Sequence, residues 1–512
     1  MPVVRRTNLP QLLRISAVTV GAVLALSGII LATHWPFTRR ATAYSLERIS
    51  SSEVHISRFH TTFFPHPGYI AENVVFTRNT GPGIPPLVRI QTVTCQASWF
   101  AVLSFTHRIQ RMRLEGMHIF IPAQVPPAVR KDPAAAIPST VAELVSEGAT
   151  LEIASRHPGG PTLRFDFSRL TIEDVAKGKS MHFRTVLHNP KPPGDIAAYG
   201  AFGPLSPGAI GQTPVSGSFN LTHAELDSFH AIGGMLSAKG AYRGTLGRIE
   251  VQGQTDIPNF EVTRSSHRVH LAVKYYAIVN GMNGDVALQS AEAHLLGTVL
   301  SSRGSLTGEA GRRGKTLSLN IDSREGRVQD LFRLLVKADR PPLDGPIVFR
   351  AHVVLPLDRQ PFLQRVVLEG EFGIVSAHFS NPERQRKVNE LSDRARSKKK
   401  NRDDPDSEHI ASDLKGHVVL RHGIAAFTNA SFSVPGASAR MQGTYNLITE
   451  RVDLHGTLSL RASLSQAAGG IKALLLKPLN PLFRKNGAGA VLPLRITGTY
   501  SHPIFAVSLK KR

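Results

Sequence analysis

Beyond an apolar N-terminal run, this chain alternates apolar and polar residues one for one along most of its length. In residues 451–464, Val452, Leu454, Leu458, Leu460, Ala462 and Leu464 share one parity, and Arg451, Asp453, His455, Thr457, Ser459 and Arg461 the other. Ile347, Phe349, Ala351, Val353 and Leu355 repeat the pattern opposite Arg350 and His352. Leu492, Leu494, Ile496 and Tyr500 repeat it opposite Arg495, Thr497 and Thr499. Successive side chains of a strand point to opposite faces, so the alternation predicts antiparallel sheet with one apolar and one wet face. The 43 Gly and 34 Pro, against only 2 Trp, favour many short strands and turns. With 41 % hydrophobic and 19 % charged residues the composition is that of a folding chain, not a disordered one.

A short unit recurs within these strands: apolar, any residue, Gly. It occurs at Leu114-Glu-Gly116, Val251-Gln-Gly253, Leu368-Glu-Gly370, Leu414-Lys-Gly416, Met441-Gln-Gly443, Leu454-His-Gly456 and Ile496-Thr-Gly498. The glycine shares the parity of the apolar residue. Two readings stay open: the glycines serve sheet curvature, or they clear a channel along the apolar face for a ligand chain.

The N-terminal run carries no Asp, Glu, Lys or Arg from Ile15 to Thr38. Ile15, Val20, Leu24, Leu26, Ile29 and Ile30 lie in it, and Trp35 sits where an interfacial aromatic belongs. The core of the run has the length needed to cross a bilayer, roughly 20 residues. A cleaved signal peptide would have an apolar region of roughly 7–15 residues, and the A-x-A site at Ala41-Thr42-Ala43 lies well past the run's end. An uncleaved anchor with the N-terminus inside and the bulk exported is therefore expected.

Helical pieces are few. Thr222 can cap a short helix through His230, residues 328–337 place Leu331, Leu334 and Leu335 on one stripe, and residues 382–396 carry Val388, Leu391 and Ala395 as apolar contacts. Residues 464–483 read as one or two amphipathic helices, lids on a sheet or membrane-surface elements. Residues 122–138 and 189–195 are Pro-rich connectors. Residues 393–408 form a charge block, read as a solvated insertion instead of a nucleic-acid patch.

Motifs for chemistry are weak. The 21 histidines include no H-E-x-x-H and no metal-ligand spacing, and His118, His352, His417 and His455 read as ordinary strand residues. The stretch 308–316 resembles a phosphate loop, but Glu309 stands where the Walker spacing needs glycine, and a strand follows. Ser397 and Ser412 begin S-x-x-K by chance, there is no G-x-S-x-G elbow, and the lone Cys95 shares parity with Val93 as a small core or groove residue. No disulfide can form within the chain, no cofactor or metal is called for, and an enzyme is the weaker class. The 61 Lys+Arg against 38 Asp+Glu leave a net charge of +23, which attracts an anionic partner.

The arrangement resembles the AsmA family of bacterial envelope proteins, related to bridge-like lipid-transfer proteins. A span followed by SSEVHISRFHTTFFPHPGYIAENVVFTR and LVRIQTVTCQASWFAVLSFTHRIQRMRLEGMHIFIP is similar to the family's N-terminal region. LKPLNPLFRKNGAGAVLPLRITGTYSHPIFAVSL is similar to its C-terminal region, and GTLGRIEVQGQTDIPNFEV has the same character. The resemblance implies an inner-membrane anchor with the N-terminus cytoplasmic and the body periplasmic. It further implies a long, U-shaped β groove that carries phospholipid in outer-membrane biogenesis. About 25 strands at 4.8 Å each would reach on the order of 120 Å.

The expected fold is thus mainly β: a transmembrane helix, then an elongated, curved antiparallel groove with a few short helices. The expected parts are a cytoplasmic tail (1–14), the anchor (15–38), an N-terminal β region (39–122), a central groove (123–380), a helix with the charged insertion (381–412) and a C-terminal β region (413–512). Candidate lipid-facing residues are Ile347, Phe349, Val353, Leu355, Val366, Leu368, Phe372, Val418, Leu420, Leu454, Leu458, Leu460, Leu494 and Ile496. Expected partners are phospholipid, the inner membrane and other envelope proteins, with no nucleic acid. The competing readings are an envelope scaffold of β-sandwich modules and a periplasmic hydrolase.

Overall fold

The structure, a computed structural model, describes residues 35–50, 52–77, 85–104, 106, 108–121, 140–153, 163–176, 178–204, 209–229, 231–263, 265, 267–308, 314–337, 340–356, 360–396, 410–461, 490–499 and 502–506. The chain is mainly β with few short helices. Among the described residues no helix is long and apolar enough to cross a membrane. Of the expected anchor, residues 15–34, with Ile15, Val20, Leu24, Leu26, Ile29 and Ile30, lie outside them, whereas residues 35–38 are described and are not helical: Trp35 packs on Trp99 and Phe37 against Tyr69. The amphipathic stretch 464–483 and most of the charge block also lie outside the described residues.

The described residues fall into two compact units, the first within Met1–His188 and Tyr199–Leu205, the second within Asn189–Ala198 and Ser206–Arg512. In the first, helix α1 (Arg39–Ser50) precedes β1 (Glu53–Thr62), β2 (Gly68–Thr77) and β3 (Val88–Ala97). Then come α2 (Trp99–Leu103), β4 (Arg108–Glu115), β5 (His118–Ile121), β6 (Thr140–Ile153), β7 (Leu163–Val175) and β8 (Met181–Pro190). β1, β2 and β3 form an antiparallel meander, and β4 and β5 both pair antiparallel with β3. β6 then pairs parallel with both β4 and β5, so the sheet is mixed where alternation predicted antiparallel pairing throughout. Parity reports which face a side chain takes, not strand direction; a parallel neighbour requires a long crossover connection, which the Pro-rich stretch after Ile121 supplies. The core gathers Ile56, Val74, Ile90, Val93, Cys95 and Leu114, with Ala43 and Leu46 of α1 laid against them.

The second unit is a long antiparallel meander. Its early strands are β9 (Pro193–Phe202, shared with the first unit), β10 (Pro214–Glu225), β11 (Ile232–Gly233), β12 (Met235–Thr245), β13 (Arg248–Val262), β14 (Val269–Val279), β15 (Val286–Leu295), β16 (Thr298–Gly308) and β17 (Lys315–Arg327). There follow α3 (Val328–Leu335), β18 (Leu343–Asp344), β19 (Pro346–Leu355), α4 (Phe362–Arg365), β20 (Val367–Phe379) and α5 (Pro382–Ala395). The last strands are β21 (Ser412–Arg421), β22 (Ile424–Val434), β23 (Ala437–Asn446), β24 (Arg451–Leu460), β25 (Ala490–Thr499) and β26 (Pro503–Ala506). The 189–195 stretch is mostly strand, with only a turn at residues 191–192.

Bulges punctuate the meander. Register slips between Leu221 and Ala224, Ile374 and Ala377, and Phe427 and Ala430 coincide with positive φ at His223 (53°), Ser376 (53°) and Asn429 (53°). An extra residue on one strand switches its parity and adds twist. That explains the helix expected from Thr222: the strand runs to Glu225, and only Leu226–Phe229 coil, as a single 3-10 turn. The expected helices at 328–337 and 382–396 form as α3 and α5. Asn381 Oδ1 caps α5 by accepting from the Glu383 and Arg384 N–H groups (2.9 and 3.2 Å). Buried Ser392 donates to the Pro435 carbonyl (2.7 Å), fastening α5 to the β22–β23 turn.

Candidate functional site

Cross-strand register assembles the alternating residues of the second unit into continuous rows. One runs Tyr242, Val251, Ala277, Leu288, Gly304, Leu319, Val353, Leu368, Leu420, Ala425, Tyr445, Val452, each residue paired with the next on the neighbouring strand. Beside it runs Gly253, Tyr275, Ala291, Ser302, Ile321, Ala351, Gly370, Val418, Phe427, Gly443, Leu454, Ile496, Phe505. No charged side chain interrupts either row. Large residues flank the glycines, as Phe427 and Leu454 flank Gly443.

The recurrent glycines do not clear a channel. A Cβ on Gly253 would stand 2.6 Å from the Tyr275 hydroxyl, and one on Gly456 would stand 1.9 Å from the Arg440 carbonyl oxygen. Neighbouring side chain and backbone already fill the space, which is the behaviour of tightly coiled sheet. Partial desolvation on this face raises the pKa of Tyr275 and of Tyr242.

Helices cover the ends of the apolar face. Val328 of α3 forms a closed cluster with Leu343, Ile347, Ile374 and Ala377 beneath it, and Phe349 and Phe372 pack against them. Beneath α5, Leu458, Leu460 and Leu492 are buried, with Leu494 alongside. At the opposite strand ends Val366, following α4, is buried with Leu420 and Ala425, and Val353, Leu355, Leu368 and Val418 pack against them. Between these ends the face is only half-buried. Leu454 and Ile496 join no cluster, and neither do the row members of β13 to β17, although Ala277 and Ala291 are individually buried. The structure therefore brings the candidate residues onto one face, but divides them: Ile347, Val366, Leu420, Leu458 and Leu460 belong to closed cores, while Leu454 and Ile496 lie in the half-open band. Sequence reading omitted Tyr275, Leu319, Ile321, Phe427 and Tyr445, which complete the rows; their strand parity was the available signal.

The opposite face of the second unit is wet: Arg495–Asp453 (3.2 Å) bridges β25 and β24. Within the first unit, Arg58–Glu72 (2.8 Å), Arg111–Glu143 (2.6 Å) and Arg113–Glu147 (2.6 Å) likewise bridge strands. Such exposed pairs contribute little stability but fix register. His352 lies on the wet face of the second unit, 2.9 Å from Asn320 Oδ1, and His417 is 3.7 Å from Glu369. Lys315, from the stretch that resembles a phosphate loop, donates to Asp285 (2.9 Å) and to the Asn283 carbonyl (3.0 Å). That contact, with the Gly308 N–H, holds the Asp285 carboxyl below its ordinary range. Among the described residues no group of three His, Cys, Asp or Glu is placed to hold a metal. Burial pushes the Cys95 thiol up to about 12, opposed by its hydrogen bond with Tyr69, whose own pKa burial also raises.

No family model, no curated protein and no solved structure matches this chain.

Proposed function

We propose that this protein is a membrane-anchored, AsmA-like envelope protein that binds phospholipid acyl chains along the apolar face of its second unit. The observation that carries the reading is the pair of registered apolar rows across β13 to β25, half-buried over β13 to β17 and again at Leu454 and Ile496, with the cluster around Leu420 and Ala425 between these stretches. An acyl chain gains roughly 0.8 kcal/mol per methylene removed from water, so a continuous apolar band holds it without any specific side chain. Directional polar partners are unnecessary for such cargo, which accords with rows lined by aliphatic and aromatic groups alone apart from Ser302. The net charge of +23 suits anionic head groups at the band's margin or at a membrane surface. The expected setting is the bacterial inner membrane, with residues 15–34 as the span, the body in the periplasm, and lipid supply to the outer membrane as the role.

The test places a photocrosslinking amino acid at Leu454 in the full chain and extracts covalently bound lipid after irradiation in cells. Lipid adducts at Leu454, with none at Thr457 on the wet face, are expected. Equal capture at both positions, or at neither, overturns the reading.

A further inference from the structure

The chain has only 2 tryptophans, and the first unit brings them together. Trp35 follows directly on the apolar run, and Trp99 opens α2; their ring centroids are 6.1 Å apart. Phe63, in the β1–β2 connection, lies 4.8 Å from Trp35. Around this contact apolar groups stand in solvent: Phe64 is 89 % exposed, Phe100 80 %, Leu103 56 % and Phe63 55 %. The neighbouring core uses Phe37 and Phe59 but none of these four. α2 turns Ala101 and Val102 inward, leaving Phe100 and Leu103 outward.

Single exposed apolar residues need no explanation, whereas a clustered set does. Three separate chain segments, at residues 35, 63–64 and 99–103, contribute to this one, so it is a face and not a frayed end. Tryptophan favours the membrane–water interface, where its apolar body and indole edge are both accommodated, and the exposed phenyl and leucyl groups add apolar area to bury there. Arg39 and Arg40 open α1 a few residues on; Arg39 also donates to the Ile56 carbonyl, and exposed Arg40 suits anionic head groups.

We propose that this aromatic face seats on the interfacial layer of the phospholipid bilayer that the apolar run enters. The occupant follows from continuity: Trp35 both ends the run and centres the face. The inference goes beyond the conduit reading and shares with it only the membrane entry of residues 15–34. A single span leaves the attached body free to swing, whereas a second contact fixes its tilt and height over the membrane.

The experiment uses the full chain carrying Trp35→Phe, which leaves Trp99 as the sole tryptophan, in phosphatidylcholine–phosphatidylglycerol vesicles with brominated acyl chains. Bromines near the head groups are expected to roughly halve Trp99 emission, and bromines near the chain ends to affect it far less. Adding Phe64→Glu and Phe100→Glu, both at exposed positions, should relieve the quenching without shifting the thermal melt. Unquenched Trp99 in a vesicle-bound chain overturns this face and leaves the anchor standing. A chain that does not stay with the vesicles overturns both. Quenching that survives both glutamates overturns the assigned face.

Discussion

Tyr275 lies over Gly253, its registered partner on the neighbouring strand, so closely that a Cβ on the glycine would meet the phenolic oxygen at 2.6 Å. The pair distinguishes two reasons for a glycine. At Gly253 the obstacle is the end of a side chain, which can move. At Gly456 it is the Arg440 carbonyl, at 1.9 Å, which cannot move without its strand. Gly456→Val is therefore expected to cost about 3 kcal/mol and Gly253→Ala about 1 kcal/mol, the usual range for overpacking. Urea melts check the values. Tyr275→Ala should lower the cost of Gly253→Ala, leaving the Lys239 carbonyl at 3.1 Å as the remaining close contact, whereas equal costs in both backgrounds would mean that the ring is not the obstacle.

The alternation made most strands legible, because a half-buried strand must repeat with period two. It also placed Leu454 and Ile496 on the same face as Phe349 and Val353. It did not reveal where strands slip. In β22 the apolar parity passes from Phe427 to Ala430 and Phe432 through Asn429 at positive φ, and a tally of parity sees two short strands there. Nor did it separate open from closed positions. Leu454 and Leu458 share a parity and a residue type; only α5, packing over one end of β24 from elsewhere in the chain, makes one of them core.

Asp330, on α3, is 7 % exposed and accepts from the Thr298 hydroxyl (2.8 Å) and the Gly297 N–H (3.0 Å). Thr298 Oγ1 in turn accepts from the Arg327 N–H (2.9 Å). The relay fastens α3 to the β15–β16 turn. Asp330→Ala removes the acceptor of the buried Thr298 hydroxyl, leaving it only the longer contact to the Arg327 carbonyl (3.4 Å), and that of the Gly297 N–H; it is expected to cost about 1 kcal/mol, with hydrogen exchange at Gly297 accelerating first. Uniform acceleration across the second unit would show that no local tie was cut.

Cys95 is fully buried, and burial raises its pKa from an ordinary 9.0 to about 12. Below pH 9 the thiol is protonated whether the unit is folded or open, so its stabilising difference is fully present. Between about 9 and 12 the open form releases the proton first, and stability falls as pH rises. Melting temperature should therefore decline across that window, and Cys95→Ala should shallow the decline. At pH 8 a disulfide reagent should label Cys95 only as fast as the unit opens. Immediate labelling of the native protein would contradict the burial.

Leu454 and Leu458 supply the sharpest contrast between binding surface and core. Leu458 is 6 % exposed inside the cluster beneath α5, so Leu458→Glu places an unpaired charge in a closed interior and is expected to unfold that region at a cost of several kcal/mol. Leu454 sits two turns of the pleat earlier in the half-open band, where a carboxylate can reach water. Leu454→Glu is expected to keep the circular dichroism spectrum and lower the melting temperature only slightly, while lipid crosslinking at neighbouring Ile496 falls several-fold. The interruption follows from the register: Leu454 pairs with Gly443 on one side and Ile496 on the other, leaving no parallel apolar route around it within that row. If Leu454→Glu unfolds as readily as Leu458→Glu, the band is itself a closed core. If it folds and lipid capture is unchanged, the band does not carry acyl chains, and the scaffold reading takes its place.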